Sequence, residues 1–196
     1  DEYIRKALSF DRNEKTCDNS QKVFCLSSSE ILFDEATTYI DKILGLNSVV
    51  LSSQFEGDPK SLVELYKKKI LDISSSNSPI EKPVVILSGG EVEIKLPDCC
   101  GIGGRNSQFS LELAKEIQGM EGVTALSADT DGIDGIGKNA GAIVDGSSYQ
   151  TMRQHYEDVD PIELFDSFNI HRYANTLFST GPTGINLNDF RAVIVR

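Results

Sequence analysis

Three polar loops carry the residues whose types and spacing could do chemistry. Residues 101–108 form a glycine-rich loop that contains one arginine, Arg105, and leads into an amphipathic segment. Residues 129–135 bring three aspartates together, and residues 180–189 combine hydroxyls, amides and glycines. An ordinary turn needs only one or two special residues. Loops of seven to ten such residues therefore predict a surface shaped around a ligand.

The glycine-rich loop has the composition of an anion site. Backbone N–H groups at a helix N-terminus bind anions, and glycines such as Gly103 and Gly104 let a phosphate approach closely. Arg105 adds a fork of donors suited to a carboxylate or phosphate. Gly103, Gly104 and Asn106 are the candidate contacts for a phosphate or substrate. Asn106 stands where a dinucleotide fingerprint has its third glycine, and no Gly-Lys-Ser/Thr motif follows. A tight turn with a solvated arginine remains the structural alternative.

A second glycine pair follows the most apolar predicted strand. Ser88, Gly89, Gly90 and Glu91 could form another backbone cradle with a carboxylate beside it. Because Gly-Gly is also a favoured turn pair, the local pattern alone favours a hairpin.

The aspartates of the second loop suggest a cation. Mg²⁺ binds carboxylate oxygens and is often bound by substrate phosphates at the same time. Asp131 and Asp134 are the candidate ligands. An EF-hand is excluded, because Ile133 occupies a ligand position. Solvated aspartate-glycine turns are the alternative, although carboxylates this close repel each other unless a cation or hydrogen bonds relieve them.

The third loop suits a small polar ligand or a phosphate tail. Its length exceeds that of a typical hairpin connection, which remains the alternative. The candidate contacts are Thr180, Gly181, Thr183, Asn186 and Asn188.

Composition limits the class of protein. The chain has 196 residues, 39% of them hydrophobic, and a net charge of −11, which predict a globular domain without an electrostatic footprint for nucleic acid or an anionic membrane. No apolar run approaches the length of a membrane helix. The cysteines Cys17, Cys25, Cys99 and Cys100 lack a zinc spacing and predict free thiols of a reducing, cytoplasmic compartment. His155 and His171 are interpreted as surface or capping residues.

The apolar patterns predict an α/β fold, a Rossmann-like layered domain with a largely parallel or mixed sheet flanked by helices. Helices are expected after Ser27, after Asp58, after the glycine-rich loop, and at 147–157 and 161–168. Residues 1–20 are expected to be an arm or linker, and residues 21–196 one α/β domain. Because all three loops follow predicted strands, they should meet at one sheet edge. The predicted strands are 22–27, 48–52, 83–88, 123–127, 140–145, 177–180 and 190–195.

Five motifs in order resemble the MOFRL domain, the C-terminal part of class II glycerate kinases. They are residues 88–91, 101–108, 130–135, 140–142 and 180–184. The resemblance covers about residues 83–196, and residues 21–82 look like the segment that precedes this domain.

The resemblance implies phosphoryl transfer from ATP with Mg²⁺ to the 2-hydroxyl of D-glycerate, giving 2-phosphoglycerate. Arg105 matches an active-site arginine of the family. Departures are Ile185, which replaces a hydroxyl residue, and Ser107-Gln108, where the family usually has Gln-Glu. The larger N-terminal domain has no counterpart here, so the chain is expected to be a fragment of a two-domain enzyme and inactive alone. A hydroxypyruvate reductase and a non-catalytic binding module of the same fold are the alternatives.

Overall fold

A computed structural model describes residues 27–75, 78–156 and 158–196. The expected arm at residues 1–20, Cys17, Cys25 and most of the expected strand at 22–27 lie outside these ranges. Among the described helices, none has both the length and the apolar character needed to cross a membrane.

One six-stranded sheet organises the described residues. Its strands are β1 (Asn47–Gly57), β2 (Val84–Val92), β3 (Val123–Asp129), β4 (Gly141–Asp145), β5 (Leu177–Phe178) and β6 (Asp189–Val195). Their spatial order is β1-β2-β6-β3-β4-β5. Since β1 pairs with β2, the segment before residue 83 and the segment after it share this sheet.

The expected α/β fold is confirmed, and of the two expected kinds of sheet, largely parallel or mixed, the sheet is the mixed one. Only β1 and β2 pair in parallel, whereas the pairs β2–β6, β6–β3, β3–β4 and β4–β5 are all antiparallel. The expected gathering of the polar loops is nevertheless confirmed. β2, β3 and β5 point the same way, so the chain leaves all three at the edge where β6 begins.

Helices cover both faces of the sheet. They are α1 (Ser29–Tyr39), continued by a π-helix over Ile40–Leu44, then α2 (Pro59–Ser74), α3 (Arg105–Glu116), α4 (Ser148–His155) and α5 (Ser167–Tyr173). The larger core lies under α2–α5 and includes Leu62, Phe109 and Val193. The smaller core lies under α1, where Phe33 packs near Val85 and Leu87.

Local sequence explains the helix starts. Asp58 caps α2 by accepting a hydrogen bond from the Ser61 N–H at 3.0 Å, with Pro59 at the first helical position, as predicted. The cap of α1 is Ser28 rather than Ser27, since the Ser28 side chain accepts from the Ile31 N–H. The single helix expected at 161–168 is instead a 3₁₀ turn over Pro161–Leu164 followed by α5.

Candidate functional site

A cleft of about 780 Å³ opens at the sheet edge where β2 and β3 end. The glycine-rich loop, the turn after β3 and the last polar loop all contribute to its wall. Its polar lining residues include Arg105, Asp129, Asp131 and Asn186, and its apolar ones include Leu96, Ile133 and Ile136. The cleft therefore joins motif residues as far apart in the sequence as Gly101 and Asn186.

Arg105 is the only one of these lining residues that carries a positive charge, and three carboxylates surround it. Its Nη1 lies 3.3 Å from Glu91 Oε2, and its Nη2 lies 3.4 Å from Asp129 Oδ2 and 3.6 Å from Asp189 Oδ1. Its side chain is 35% exposed. Burial lowers the pKa of Arg105, but the attraction of Asp189, Glu91 and Asp129 outweighs it, so the pKa is raised overall. The guanidinium stays charged and reaches the cleft.

A second arginine lies beneath the first. Arg191 and Asp189 are both fully buried, and Arg191 Nη2 donates to Asp189 Oδ2. The Arg191 guanidinium also lies over the Phe109 ring, 5.2 Å from its centroid, and Nη1 donates to the Gly89 carbonyl at 3.4 Å. Burial lowers the pKa of Arg191, and the charge of Asp189 opposes that fall. Asp189 thus lies between a buried arginine and the arginine of the cleft.

The start of α3 is capped from inside the protein by Asp134. Asp134 Oδ1 accepts from the Asn106 N–H at 2.9 Å, and Oδ2 accepts from the Ser107 N–H at 2.8 Å and from its hydroxyl at 2.5 Å. Asp134 is 2% exposed. Burial raises its pKa, although these hydrogen bonds favour the charged form. Asp134 therefore faces the helix start, and the geometry does not fit the expected role as a magnesium ligand.

The glycines of the loop are needed for close packing. A Cβ on Gly104 would lie 2.3 Å from the Asp134 carboxyl carbon, and one on Gly103 would lie 2.2 Å from Ser167 Oγ. The Ile102 N–H donates to Asp166 Oδ1 at 2.7 Å, so the segment that contains Ser167 also holds the loop by a hydrogen bond. The loop is therefore a rigid support for Arg105. Its glycines are required by this close packing, whether or not a ligand also approaches them.

Asn106 lies behind the cleft, not in it as expected. Its side chain is fully buried, with Nδ2 donating to Asp189 Oδ1 at 2.7 Å and Oδ1 accepting from the Ser127 hydroxyl at 2.5 Å. It ties α3 to β3 and β6. Its position suits the orientation of the neighbouring Arg105 rather than direct contact with a ligand.

The Ser88–Glu91 segment is neither a hairpin nor an open cradle. It lies within β2 and pairs with β1 on one side, while β6 pairs with it as far as Gly90. Ser88 is buried and accepts from the Tyr66 hydroxyl at 2.8 Å. A Cβ on Gly90 would lie 2.2 Å from the Phe55 backbone, which explains the glycine. Only Glu91 at the strand end is exposed and reaches Arg105.

The carboxylates after β3 differ in their surroundings. Burial, with the charges of Asp131 and Asp189 adding to it, raises the pKa of Asp129 to about 6. Asp131 is half-buried and lines the cleft, with Oδ1 accepting from the Ile133 N–H at 2.8 Å. Within the described ranges, no three or more His, Cys, Asp or Glu side chains are grouped to hold a metal by themselves. The cleft offers at most a pair of carboxylates to a cation.

The third loop is anchored to the second one. Thr183 Oγ1 donates to the Thr130 carbonyl at 2.6 Å, and the Thr183 N–H donates to the Asp131 carbonyl. Asn186 Nδ2 lies 3.5 Å from Asp131 Oδ2 and lines the cleft. Thr180, Gly181 and Asn188 lie outside the cleft lining, and Asn188 lines a smaller acidic pocket beside Glu91.

His171 is buried, and its interpretation as a surface or capping residue is wrong. Its Nε2 lies 2.8 Å from the Ser107 carbonyl and its Nδ1 lies 2.7 Å from Thr176 Oγ1. Burial lowers its pKa to about 4, so the ring is neutral and Nε2 donates to the carbonyl. His171 lies 64 positions after Ser107, and no local pattern in the sequence indicated that it contacts the start of α3.

Sequence comparisons point to one group of proteins. A putative hydroxypyruvate reductase of Agrobacterium vitis is 36% identical over 180 residues, which are 90% of this chain and 46% of the relative. The D-glycerate 2-kinase of Thermotoga maritima is 31% identical over 169 residues, which are 86% of this chain and 40% of that enzyme. The chain thus spans less than half the length of these relatives.

A structural comparison agrees with them. The crystal structure of a glycerate kinase from Thermotoga maritima superimposes with a TM-score of 0.81 at 29% sequence identity, covering 89% of this chain and 42% of that one. The model of the MOFRL family matches residues 84–189. Because this match takes in the glycine-rich loop, the cleft and more than half of the chain, the protein belongs to the MOFRL family.

Proposed function

We propose that this chain is the C-terminal portion of a glycerate 2-kinase, which transfers the γ-phosphate of ATP to the 2-hydroxyl of D-glycerate and releases 2-phosphoglycerate. The observation that carries the proposal is Arg105, a charged guanidinium in the cleft that its surroundings hold in place. The names of the Thermotoga maritima relatives supply the reaction. The chain's coverage of less than half of each relative supports a partner domain that completes the site.

Arg105 has the properties that phosphoryl transfer needs. The reaction depends mainly on positioning the transferred group and on neutralising its charge. Asp129 and Asp189 fix one edge of the guanidinium, so little reorganisation accompanies binding of an anion. In this proposal Arg105 binds the γ-phosphate or the glycerate carboxylate. Asn186 provides an amide on the same wall of the cleft.

Magnesium suits the carboxylates of the cleft. Mg²⁺ is bound through one or two carboxylates plus substrate phosphates and retains several waters. Asp131 and Asp129 are the residues that would hold it, since both line the cleft. The bound ion would neutralise charge on the phosphates. In this proposal the protein is cytoplasmic, which the exposed free thiols of Cys99 and Cys100 support.

A hydroxypyruvate reductase is the second candidate, because the relative from Agrobacterium vitis carries that name. It requires a nicotinamide cofactor, yet Asn106 replaces the third glycine of the dinucleotide fingerprint and is buried. A binding module without catalysis is the third candidate. The kinase consumes ATP, the reductase consumes NADH, and the binding module consumes neither. Measuring product formation with each substrate therefore distinguishes the three functions.

The test uses the full-length protein that contains this chain, with D-glycerate, Mg-ATP and, separately, hydroxypyruvate with NADH. We expect 2-phosphoglycerate formation without NADH oxidation. Arg105→Ala should lower kcat/KM by about 10² to 10³-fold. The kcat/KM of Arg105→Lys should lie between those of the wild type and Arg105→Ala, because lysine keeps the charge but loses the fork of donors. Arg172→Ala is the matched control, since Arg172 lies over Phe168 away from the cleft lining.

Turnover that survives Arg105→Ala would contradict the proposed role of this arginine. NADH oxidation in place of 2-phosphoglycerate formation would establish the reductase. Binding of ATP or D-glycerate by folded wild-type protein without any turnover would establish the binding module.

A further inference from the structure

The guanidinium of Arg105 has two unlike sides. Nη2 faces Asp129 and Asp189, whose side chains are 8% and 0% exposed. Nη1 faces Glu91, whose side chain is 46% exposed. The arginine therefore contacts buried carboxylates with one nitrogen and an exposed carboxylate with the other.

The buried side is fixed. Asp189 also accepts from Arg191 and from Asn106, and Asp129 Oδ1 accepts from the Asp131 N–H at 3.1 Å. Moving either carboxylate away would break these bonds and leave buried charges unpaired, which is strongly unfavourable. Nη2 therefore stays where it is when a ligand enters.

The exposed side is exchangeable. Ion pairs between exposed groups contribute about 1 kcal/mol or less, because water solvates both partners nearly as well. The Glu91 side chain extends from the exposed end of β2, while the Glu91 backbone is held in register with Glu56 of β1. The carboxylate can thus leave Nη1 at little cost without any movement of the strand.

We propose that Glu91 is an internal competitor for the anion site: its carboxylate occupies Nη1 of Arg105, and an anionic ligand must displace it. This rests on the proposed function only in taking Arg105 as the anion-binding group. It gives Glu91 a different role from the one expected from the sequence, a carboxylate in a phosphate- or substrate-binding cradle, because a carboxylate beside a bound phosphate repels it. Glu91 sets how much anion is needed to fill the site.

The first test measures binding of pyrophosphate to the 196-residue chain, followed by the NMR signal of the Arg105 side-chain N–H. Glu91→Gln should lower the pyrophosphate Kd by about three- to tenfold, since it removes both the competing contact and a repelling charge. Glu93→Gln is the matched control. Glu93 is exposed, carries the same charge and shares the smaller pocket with Glu91, but among the described residues it forms no ion pair with Arg105, so its removal should change the Kd by less than about twofold.

A second measurement needs no bound ligand. The rate at which phenylglyoxal modifies Arg105, read by peptide mass spectrometry, reports how far Glu91 covers the guanidinium. Glu91→Gln should raise that rate severalfold, and Glu93→Gln should leave it unchanged. Equal rates in the two variants, or an unchanged or weaker pyrophosphate affinity in Glu91→Gln, would overturn the proposal. Neither readout requires turnover, so failure of the kinase assay and failure of this proposal are distinguishable.

Discussion

Replacing Asp189 by asparagine tests whether the buried ion pair supports the cleft. The change keeps the shape of the side chain but removes its charge, while Arg191 stays fully buried beside it. Arg191 Nη1 retains only a 3.4 Å hydrogen bond to the Gly89 carbonyl, and the Arg191 Nε atom has no hydrogen-bond partner among the described residues. Asp189→Asn therefore leaves a charged guanidinium without a counter-charge inside the core.

Breaking a buried pair by removing one partner costs about 3 to 5 kcal/mol. The full burial of both groups places Asp189→Asn in the upper part of this range, and the bond from Asn106 to Asp189 is weakened as well. We expect the free energy of unfolding to fall by about 4 to 5 kcal/mol. The double variant Asp189→Asn/Arg191→Met removes both charges and keeps an unbranched apolar chain over Phe109, so it should recover most of this loss.

Urea unfolding of the 196-residue chain, followed by far-UV circular dichroism, measures these differences. Asp131→Asn is the matched control, because it removes a carboxylate from a half-buried side chain of the same cleft, and it should change the free energy of unfolding by less than about 1 kcal/mol. A loss below about 1 kcal/mol for Asp189→Asn, or a double variant less stable than the single one, would refute the reasoning.

Two further predictions concern the support of α3. Asp134→Ala should lower the free energy of unfolding by about 3 kcal/mol, since it removes a helix cap and leaves the Asn106 and Ser107 N–H groups unpaired. His171 should remain neutral in an NMR titration down to about pH 4. Because the pKa of His171 in the folded protein lies below the ordinary value of 6.5, the unfolded chain takes up the proton first as the pH falls. His171 therefore contributes stability above pH 6.5 that is lost as the pH falls toward 4. The loss amounts to about 3 kcal/mol.

Controls separate these effects from general ones. Asp131 lies in the same loop as Asp134 but lines the cleft. Asp131→Ala should therefore lower the free energy of unfolding far less than Asp134→Ala does. Equal decreases in the two variants would argue against the helix cap. For His171, the contribution is read as the difference in pH dependence between the wild type and His171→Gln, whose amide can still donate to the Ser107 carbonyl, because Asp129, with a pKa of about 6, changes stability in the same pH range in both proteins. A His171 signal that titrates near pH 6.5 in the folded protein would show that this ring is not desolvated.

Local patterns in the sequence predicted most of the elements. Asp58 followed by Pro59 marks a helix start whose hydrogen bonds involve only neighbouring residues, so the sequence contains all of its causes. The spacing of Phe109, Leu113 and Ile117 marks the buried face of α3 in the same way. Strand pairing was harder, because β6 lies between β2 and β3, and a terminal strand gives no local indication of where it inserts.

The sequence by itself determined which residues are polar, which described segments contain the strands, and that Arg105 follows a glycine-rich loop. It also contained an unused signal: Asp189 and Arg191 alternate with Phe190 and continue the buried face of Val193 and Val195. Tertiary structure alone decided that Asp189 meets Arg105, that Asp134 caps α3 and that Glu91 pairs with Arg105. These contacts join residues 14 to 84 positions apart, and only the completed sheet holds them at hydrogen-bond or ion-pair distance, because burial and charge pairing depend on what surrounds a residue in space.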